Sequence, residues 1–417
     1  MGDGGGMKEL FTLVTVAEAR DILARHWSPA PLDQEEVPLT SALGRVTARE
    51  IKAPEDVPGF DRSTVDGFAL RAADTFGASE GMPGYVTVVG EVAMGGAPGG
   101  KLGPGECMQI ATGGMLPAGS DAVVMVEHTE ALDSTTLGIL RPVAPGENVI
   151  RRDEDLKAGG VILPAGRRLR PGDIGLLAAC GLTRVPVVRR PRVAIISTGN
   201  ELVDPAAKPA PGQVRDVNTY TLGAMVEEAG GEVSHRWVVE DCFEQLYPRL
   251  EEGLAAADVT VISGGSSVGT RDLTAQLIEE AGRPGVLVHG VAVRPGKPTI
   301  IGLARGKPIF GLPGHPVSAL ITFDLFVRPC LERLQGRPEK KFYPTVRARL
   351  NRNVASAAGR EDYVRVILHQ EGEEITAEPV LGKSGLISTM ARAHGLVRIP
   401  LHQEGFLAGE EVEVRLL

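Results

Sequence analysis

Hydrophobic residues along this chain repeat with two different periods, and the change from one to the other divides it into segments. Val16, Ala19, Ile22 and Leu23 share one helical face over Ala17–His26, and Pro29 and Pro31 end that pattern. A second short helix is predicted over Ser41–Ile51. From Ala53 the pattern shortens: Tyr85–Ala93, Glu106–Ala111 and Asp121–Glu127 read as strands between glycine–proline turns, a small β module. Pro171–Cys180 returns to helical spacing.

Beyond Arg189-Arg190-Pro191, strand and helix alternate, the signature of a parallel sheet with helices on both faces. Val193–Ser197 is a buried strand. Asn218 caps a helix carrying Leu222, Met225, Val226 and Ala229, which Gly230-Gly231 ends. Val233–Val239 is a strand, and Phe243, Leu246, Leu250 and Leu254 mark the next helix. Val259–Ile262 runs into Ser263-Gly264-Gly265-Ser266-Ser267-Val268-Gly269-Thr270-Arg271-Asp272, after which Leu273, Leu277, Ile278 and Ala281 keep helical spacing. Leu287–Arg294, Thr299–Gly302 and Pro308–Leu312 supply further strands, and a helix carrying Leu320 to Leu331 closes the segment at Gly336. Val346–Leu350, Tyr363–Leu368, Glu374–Ala377 and Val412–Leu416 alternate as strands of a last β-rich piece.

These patterns predict an α/β plus β protein. A discontinuous N-terminal α/β domain (1–56 and 152–190) is interrupted by a β-rich insertion (57–151). A central, doubly wound, mostly parallel sheet follows (191–338), then a C-terminal, β-barrel-like domain (339–417).

Composition narrows the partners. The 417 residues are 43% hydrophobic with a net charge of −9, which argues against nucleic acid or an anionic membrane as a general partner. No apolar run approaches the ~20 residues of a membrane helix, and Met1–Gly6 lacks the basic and apolar regions of a signal peptide. The four cysteines stand far apart without metal-ligand spacing, so buried thiols in a reducing cytoplasm are expected.

Candidate chemistry gathers at the strand ends of the central segment, where doubly wound sheets bind ligands. The Ser263–Gly269 turn precedes a helix, a geometry that aims backbone N–H groups at an anion. It keeps P-loop spacing, but Thr270-Arg271 replaces the required lysine, so it is not a Walker A motif. Other strand ends carry Glu201, Asp241, Asp272, Arg294 and Lys297, and His315 stands where a helix begins. One carboxylate in such a place is ordinarily a helix cap; three acids and two bases at successive ends suit a phosphate or other oxyanion with a hard cation such as Mg²⁺. Glu127, His128 and Glu130 resemble metal ligands by type but alternate faces as strand neighbours, and are expected at the surface. No nucleophile elbow or Cys–His pairing appears.

Seven motifs occur in one order: Asp61-Arg62-Ser63-Thr64-Val65-Asp66-Gly67-Phe68-Ala69, Ala111-Thr112-Gly113-Gly114, Arg152-Asp153-Glu154-Asp155, Ser197-Thr198-Gly199-Asn200-Glu201-Leu202, Ser263–Gly269, Pro295-Gly296-Lys297-Pro298 and Leu312-Pro313-Gly314-His315-Pro316-Val317-Ser318. Together, from about residue 10 to the C-terminus, they resemble the molybdopterin molybdenumtransferase family, the MoeA and gephyrin E-domain group. The resemblance implies insertion of molybdate into adenylated molybdopterin with release of AMP, and a homodimer whose β insertion completes the partner's site. The upstream adenylyltransferase and acceptor molybdoenzymes would be further partners. It assigns functional roles to Asp66, Thr112, Asp155, Glu201, Arg294, Lys297, Pro313 and Pro316. Ser263, Gly264, Gly265, Ser266, Ser267, Gly269, His315, Arg365 and Ser384 would bind substrate, and Asp241, Asp272 and Glu201 would hold Mg²⁺. Two positions depart from the family pattern: Arg294 and Gly290 stand where lysines are usual. Two other readings share these features. One is an adenylyltransferase acting one step earlier, against which the β insertion and C-terminal domain argue; the other is a non-enzymatic scaffold.

Overall fold

A computed structural model describes residues 13–264, 268–338 and 343–417, and of residues 268–272 the backbone alone. The chain divides into two compact units. The larger holds residues 13–35, 44–48 and 187–417, and the smaller holds 36–43 and 49–186.

Helix α1 (Val16–His26) belongs to the larger unit. Thr15 accepts the Glu18 amide while Glu18 accepts the Thr15 amide, a reciprocal capping box that starts the helix one residue before its predicted beginning. Its buried Val16, Ala19 and Leu23 join the central core. The predicted Ser41–Ile51 helix does not form. A single 3-10 turn, Leu39–Ser41, is followed by Gly44 at φ 75°, and β-branched Thr47 bridges to Val187 instead.

The smaller unit is built on a six-stranded sheet of β1 (Gly67–Leu70), β2 (Gly84–Glu91), β3 (Glu106–Ile110), β4 (Ala122–Met125), β5 (Thr129–Ala131) and β6 (Thr136–Ile139), in the order β4-β1-β3-β2-β6-β5. Phe68, Leu70, Val86, Cys107, Val124 and Ile139 fill one side of it. Strand β4 ends earlier than expected: Val126–His128 is a 3-10 turn and Glu130 lies on β5, so Glu127, His128 and Glu130 do not share one strand. Glu127 and Glu130 are exposed, as surface residues should be. Helix α2 (Pro171–Ala179) starts with proline in its first turn and Asp173 accepting the Arg170 amide.

The central sheet of the larger unit contains β7 (Arg192–Thr198), β8 (Glu232–Val239), β9 (Val259–Gly264), β10 (Pro284–His289), β12 (Ile300–Ala304) and β13 (Lys307–Pro313). Its order is β8-β7-β9-β13-β12-β10; the first four strands are parallel and the last two antiparallel. One face packs on α1 and α3 (Asn218–Glu228), through Leu222, Val226, Ile195 and Phe310. The other packs on α4 (Phe243–Ala256) and α5 (Val268–Ala281), through Leu246, Leu250, Ile196 and Ile278. Strands buried on both faces explain the continuous apolar runs in the sequence, and each large side chain so buried stabilises the fold by about 1.5–3 kcal/mol.

The predicted Leu287–Arg294 strand is two strands in two sheets. Gly290 (φ 101°) donates its N–H to the Thr299 carbonyl and turns the chain; a side chain there would be strained. The two residues beyond that turn, β11 (Val293–Arg294), leave the central sheet and pair with the C-terminal domain. The long predicted helix after β13 is likewise three pieces: α6 (Pro316–Thr322), a π turn (Phe323–Val327) and α7 (Arg328–Leu334), whose first turn contains Pro329. Asp324, on the π turn, receives both Arg328 and Arg415.

In the C-terminal domain β14 (Thr345–Leu350), β15 (Glu361–Glu371), β16 (Glu374–Pro379), β17 (Gly395–Ile399) and β18 (Glu411–Leu416) close into a five-stranded barrel in the order β15-β16-β14-β18-β17-β15. Val366, Ala377, Val397, Ile399 and Val414 fill it. Strand β17 was not legible as a strand, yet it makes the closure.

Candidate functional site

The carboxyl edge of the parallel strands aligns Val239, Thr198, Gly264 and Pro313 as successive register partners. The chain leaves β7 towards α3 on one face and β9 towards α5 on the other, which is the topological switch point where such sheets open a crevice. Gly264 is required there. A β-carbon on it would lie 2.2 Å from Thr198 Cγ2 and 2.4 Å from the Thr198 carbonyl oxygen.

Around this edge the polar side chains hold one another. The Thr198 hydroxyl donates to Asp241 Oδ1, and the Asp241 amide donates to Asn200 Oδ1 at 3.0 Å. Glu201 lies on the same loop, its carboxylate folded over Gly199. Asn218 does not cap α3 with its side chain; Asp216 accepts the Thr219 amide at 3.2 Å in that role. The Asn218 amide group instead donates to Ser263 Oγ and to the Gly314 carbonyl, both at 2.8 Å, and Ser263 is buried, 1% exposed. Gly265, Ser266 and Ser267 lie outside the described residues, Gly269 is the second residue of α5, and the Asp272 side chain is likewise not described. Among the described residues no three His, Cys, Asp or Glu side chains surround a common point.

A cavity of ≈ 1040 Å³ lies within the larger unit, between the central sheet and the barrel. Its walls include Arg294, Lys297, Pro313, His315, Arg365 and Ser384 from the sequence-derived set, together with Arg360, Asp362 and Lys383. Strand pairing sets this arrangement: β11 runs alongside β15 with Arg294 opposite Asp362, which places Arg294 Nη1 3.3 Å from Asp362 Oδ2. Asp362 also accepts Arg360 Nε at 2.9 Å. The Arg-Pro-Gly-Lys turn is pressed onto α6, since a β-carbon on Gly296 would stand 2.4 Å from Thr322 Cγ2. Pro313 is buried at the end of β13 and Pro316 opens α6.

Arg365 is the unusual member. It is 8% exposed. Nη1 donates to Thr389 Oγ1 at 2.8 Å and Nη2 to the Gly382 carbonyl at 3.0 Å, both neutral, while Nε has no partner among the described residues. Burial first, and the nearby Arg294 cation second, pull its pKa below the ordinary guanidinium value. A buried cation without a counter-charge is costly, and an anion in the cavity would relieve it. Ser384 stands beside His315, with Oγ 2.9 Å from Nδ1.

In the smaller unit Asp66 Oδ1 accepts both the amide (2.7 Å) and the hydroxyl (2.8 Å) of Thr112. The amide first and the hydroxyl second hold the Asp66 carboxyl below its ordinary range. Asp155 is exposed, its amide donating to the Val57 carbonyl at 3.1 Å. Sequence reasoning missed Arg360, Asp362 and Lys383. Arg360 and Asp362 sit in a charged run, Arg360-Glu361-Asp362, at the start of a strand, which in sequence looks like a solvated terminus.

A doubly wound domain and a closed β-barrel that share a cation-lined cavity at the end of β13 define a class of protein suited to an anionic ligand. Sequence profiles agree: the MoeA N-terminal region (domain I and II) matches residues 14–181, the "Probable molybdopterin binding domain" residues 194–333, and the MoeA C-terminal region (domain IV) residues 347–417. The chain belongs to the MoeA family. It is 34% identical to the molybdopterin molybdenumtransferase of Bacillus subtilis over 391 residues, covering 92% of this chain and 90% of that one. Molybdopterin molybdenumtransferase 2 of Mycobacterium tuberculosis is 36% identical over 384 residues, covering 91% and 94%. Among solved structures, a molybdopterin biosynthesis MoeA protein from Pyrococcus horikoshii superposes with a TM-score of 0.79 at 42% identity, covering 97% of this chain and 99% of that one.

Proposed function

We propose that this chain is a molybdopterin molybdenumtransferase: it inserts molybdate into the dithiolene of adenylated molybdopterin, releasing AMP and yielding molybdenum cofactor. The observation that carries the reading is Arg365, a buried guanidinium with an unpartnered Nε beside Arg294 and Lys297 in one cavity. Molybdate is a dianion and the pterin substrate carries phosphates, so the two repel. Arg294, Lys297 and Arg365 offset the molybdate charge while the Gly264–Gly269 segment and the amino end of α5 receive phosphate, and much of the catalysis is the placement of these two anions.

Asp241, steadied by Thr198, and Glu201 offer hard oxygen donors at one sheet edge, a donor set that suits Mg²⁺, with Asp272 as the third ligand. A divalent cation held by these residues would neutralise the adenylate phosphates and so favour AMP departure. Pro313 and Pro316 fix the backbone on either side of His315 at the cavity mouth, and Ser384 supplies a hydroxyl to the oxyanion. Asp66, Thr112 and Asp155 complete the site of the partner in a homodimer. A cytoplasmic location is supported by four free cysteines; burial pushes the thiols of Cys107 and Cys330 up to about 12, which keeps them inert.

The test incubates the protein with adenylated molybdopterin and molybdate, following AMP release and activation of an apo-molybdoenzyme. Molybdate-dependent AMP release is expected. Net adenylation of molybdopterin by ATP, without molybdate insertion, overturns the reading in favour of an adenylyltransferase. Sharing of the site is tested with Asp66→Ala and Asp272→Ala proteins: each is inactive alone, and a subunit-exchanging mixture regains activity.

A further inference from the structure

We propose that Arg360 is a specificity-determining residue: by capping Asp362 it shuts hydrogen phosphate out of a cavity that accepts oxyanions without a proton. The inference rests on the reading of that cavity as a molybdate site. Molybdate and hydrogen phosphate are both tetrahedral dianions, so shape and charge alone separate them poorly. They differ in one proton. Every molybdate oxygen can only accept hydrogen bonds, whereas hydrogen phosphate carries an O–H that must donate one.

The cavity wall is rich in donors. Arg294, Lys297, Arg360, Arg365 and Lys383 line it, and none of these side chains can accept a hydrogen bond. Asp362 is the acid among the described lining residues, and both its oxygens are taken. Oδ2 accepts Arg294 Nη1 at 3.3 Å and Oδ1 accepts Arg360 Nε at 2.9 Å. The side chain is 6% exposed, which leaves its remaining lone pairs little access to a ligand. The carbonyls of Ala292, Lys297, Gly314 and Gly382 already accept N–H groups from Glu361, Val291, Asn218 and Arg365. The Tyr363 hydroxyl is bonded to Glu361 Oε2. Ser384 is the adaptable member, paired with His315 at 2.9 Å. A phosphate O–H that takes this hydroxyl as its acceptor loses it as a donor to another oxygen.

Arg360 makes the shorter of the two contacts to Asp362. It stands two residues earlier in an extended chain, so the two side chains project to one side. Removing its guanidinium leaves Oδ1 as an acceptor beside the cavity. An O–H then finds a partner there, while a proton-free ion gains nothing from it. Selection of this kind withholds a partner from the wrong ligand instead of adding a contact to the right one. A buried donor left without a partner weakens binding about fivefold or more.

The experiment measures displacement of molybdate from the full chain by titration calorimetry at about pH 8, where phosphate is chiefly the dianion with one proton. Sulfate is the matched control, with the same shape and charge and no proton. Selenate and hydrogen arsenate repeat the comparison with larger ions. Wild type should bind each proton-free ion about fivefold or more tightly than its protonated counterpart. Arg360→Met keeps the aliphatic stem and removes the cap. Its lost charge weakens every dianion alike, but the ratio within each pair should fall towards one. A general loosening of the fold would weaken both ions of a pair and leave that ratio unchanged. Should Arg360→Met misfold, Arg360→Gln, shorter and uncharged, is read in its place. Equal binding of both members of each pair by wild type, including no displacement by any of them, overturns the proposal. So does a folded variant that keeps the wild-type ratios; the oxyanion site stands in either case. If wild type binds no molybdate, or Arg365→Met binds it as tightly as wild type, the oxyanion reading itself falls and the selection falls with it.

Discussion

Replacing Arg365 by methionine separates binding from stability. Met matches the length of the aliphatic stem and fills the same channel, so little packing is lost. Two neutral acceptors lose a donor. Thr389 Oγ1 keeps its own bond to the Leu386 carbonyl, and the exposed Gly382 is rehydrated. Two ordinary hydrogen bonds at about 1 kcal/mol each are partly offset by relief of burying an uncompensated cation, so the expected destabilisation is below about 2 kcal/mol. Molybdate loses more. Hydrogen bonds to a charged group contribute about 1.5–3 kcal/mol, and each 1.4 kcal/mol is about tenfold in affinity. Molybdate should therefore bind about 10- to 150-fold more weakly to Arg365→Met, with an urea midpoint near that of wild type. Calorimetric titration alongside urea unfolding reads both quantities. Affinity within about threefold of wild type, with the fold intact, would refute the assignment of Arg365 to the oxyanion.

Three further outcomes follow from particular contacts. Asp324→Asn removes the common partner of Arg328 and Arg415, all three mostly buried, and should cost about 3 kcal/mol in urea unfolding; a change below 1 kcal/mol, taken as about the value of an exposed pair, would show the network to be dispensable. Asp258 accepts Arg189 twice at 2.8 Å and the Arg192 amide at 2.8 Å. Burial would raise its pKa, but the Arg189 guanidinium and that amide outweigh it and hold the carboxyl below its ordinary range. Its stabilisation is thus present above the unfolded carboxylate value of about 3.9 and is lost as pH falls through the lower folded value. Asp258→Asn should be clearly less stable than wild type at pH 7, and the gap should shrink on acidification towards pH 3; a constant gap would exclude the linkage. Gly264→Ala forces a β-carbon onto Thr198, so an overpacking cost of about 1–3 kcal/mol and loss of AMP release are expected, and an alanine variant of normal melting and activity would remove the close strand approach from the account.

Much of the central domain was legible because its strands are buried on both faces and its helices carry apolar residues at regular spacing. Val193–Ser197, Val259–Ile262 and the α4 face all fall within the elements observed. The errors arose where tertiary pairing overrides local pattern. Leu287–Arg294 reads as one apolar run, but Gly290 breaks it and hands Val293–Arg294 to another sheet. Ser41–Ile51 has helical spacing, yet Gly44 and the bridge made by Thr47 prevent the helix. Leu396-Val397-Arg398-Ile399 was too short to stand out, and its worth lies wholly in closing the barrel. In the cavity, motif residues were visible from their unusual composition. Asp362 was not, because an acid opening a strand looks like any solvated terminus until its two arginine partners are in place.

The short Val293–Arg294 ladder has a mechanical corollary. Because the sheet domain lends the barrel this strand, the two walls of the cavity are joined by backbone pairing at Arg294 itself. Prising the chamber apart would break backbone hydrogen bonds and withdraw Arg294 at the same stroke. Any opening between the two walls is therefore coupled to the position of the Arg294 guanidinium.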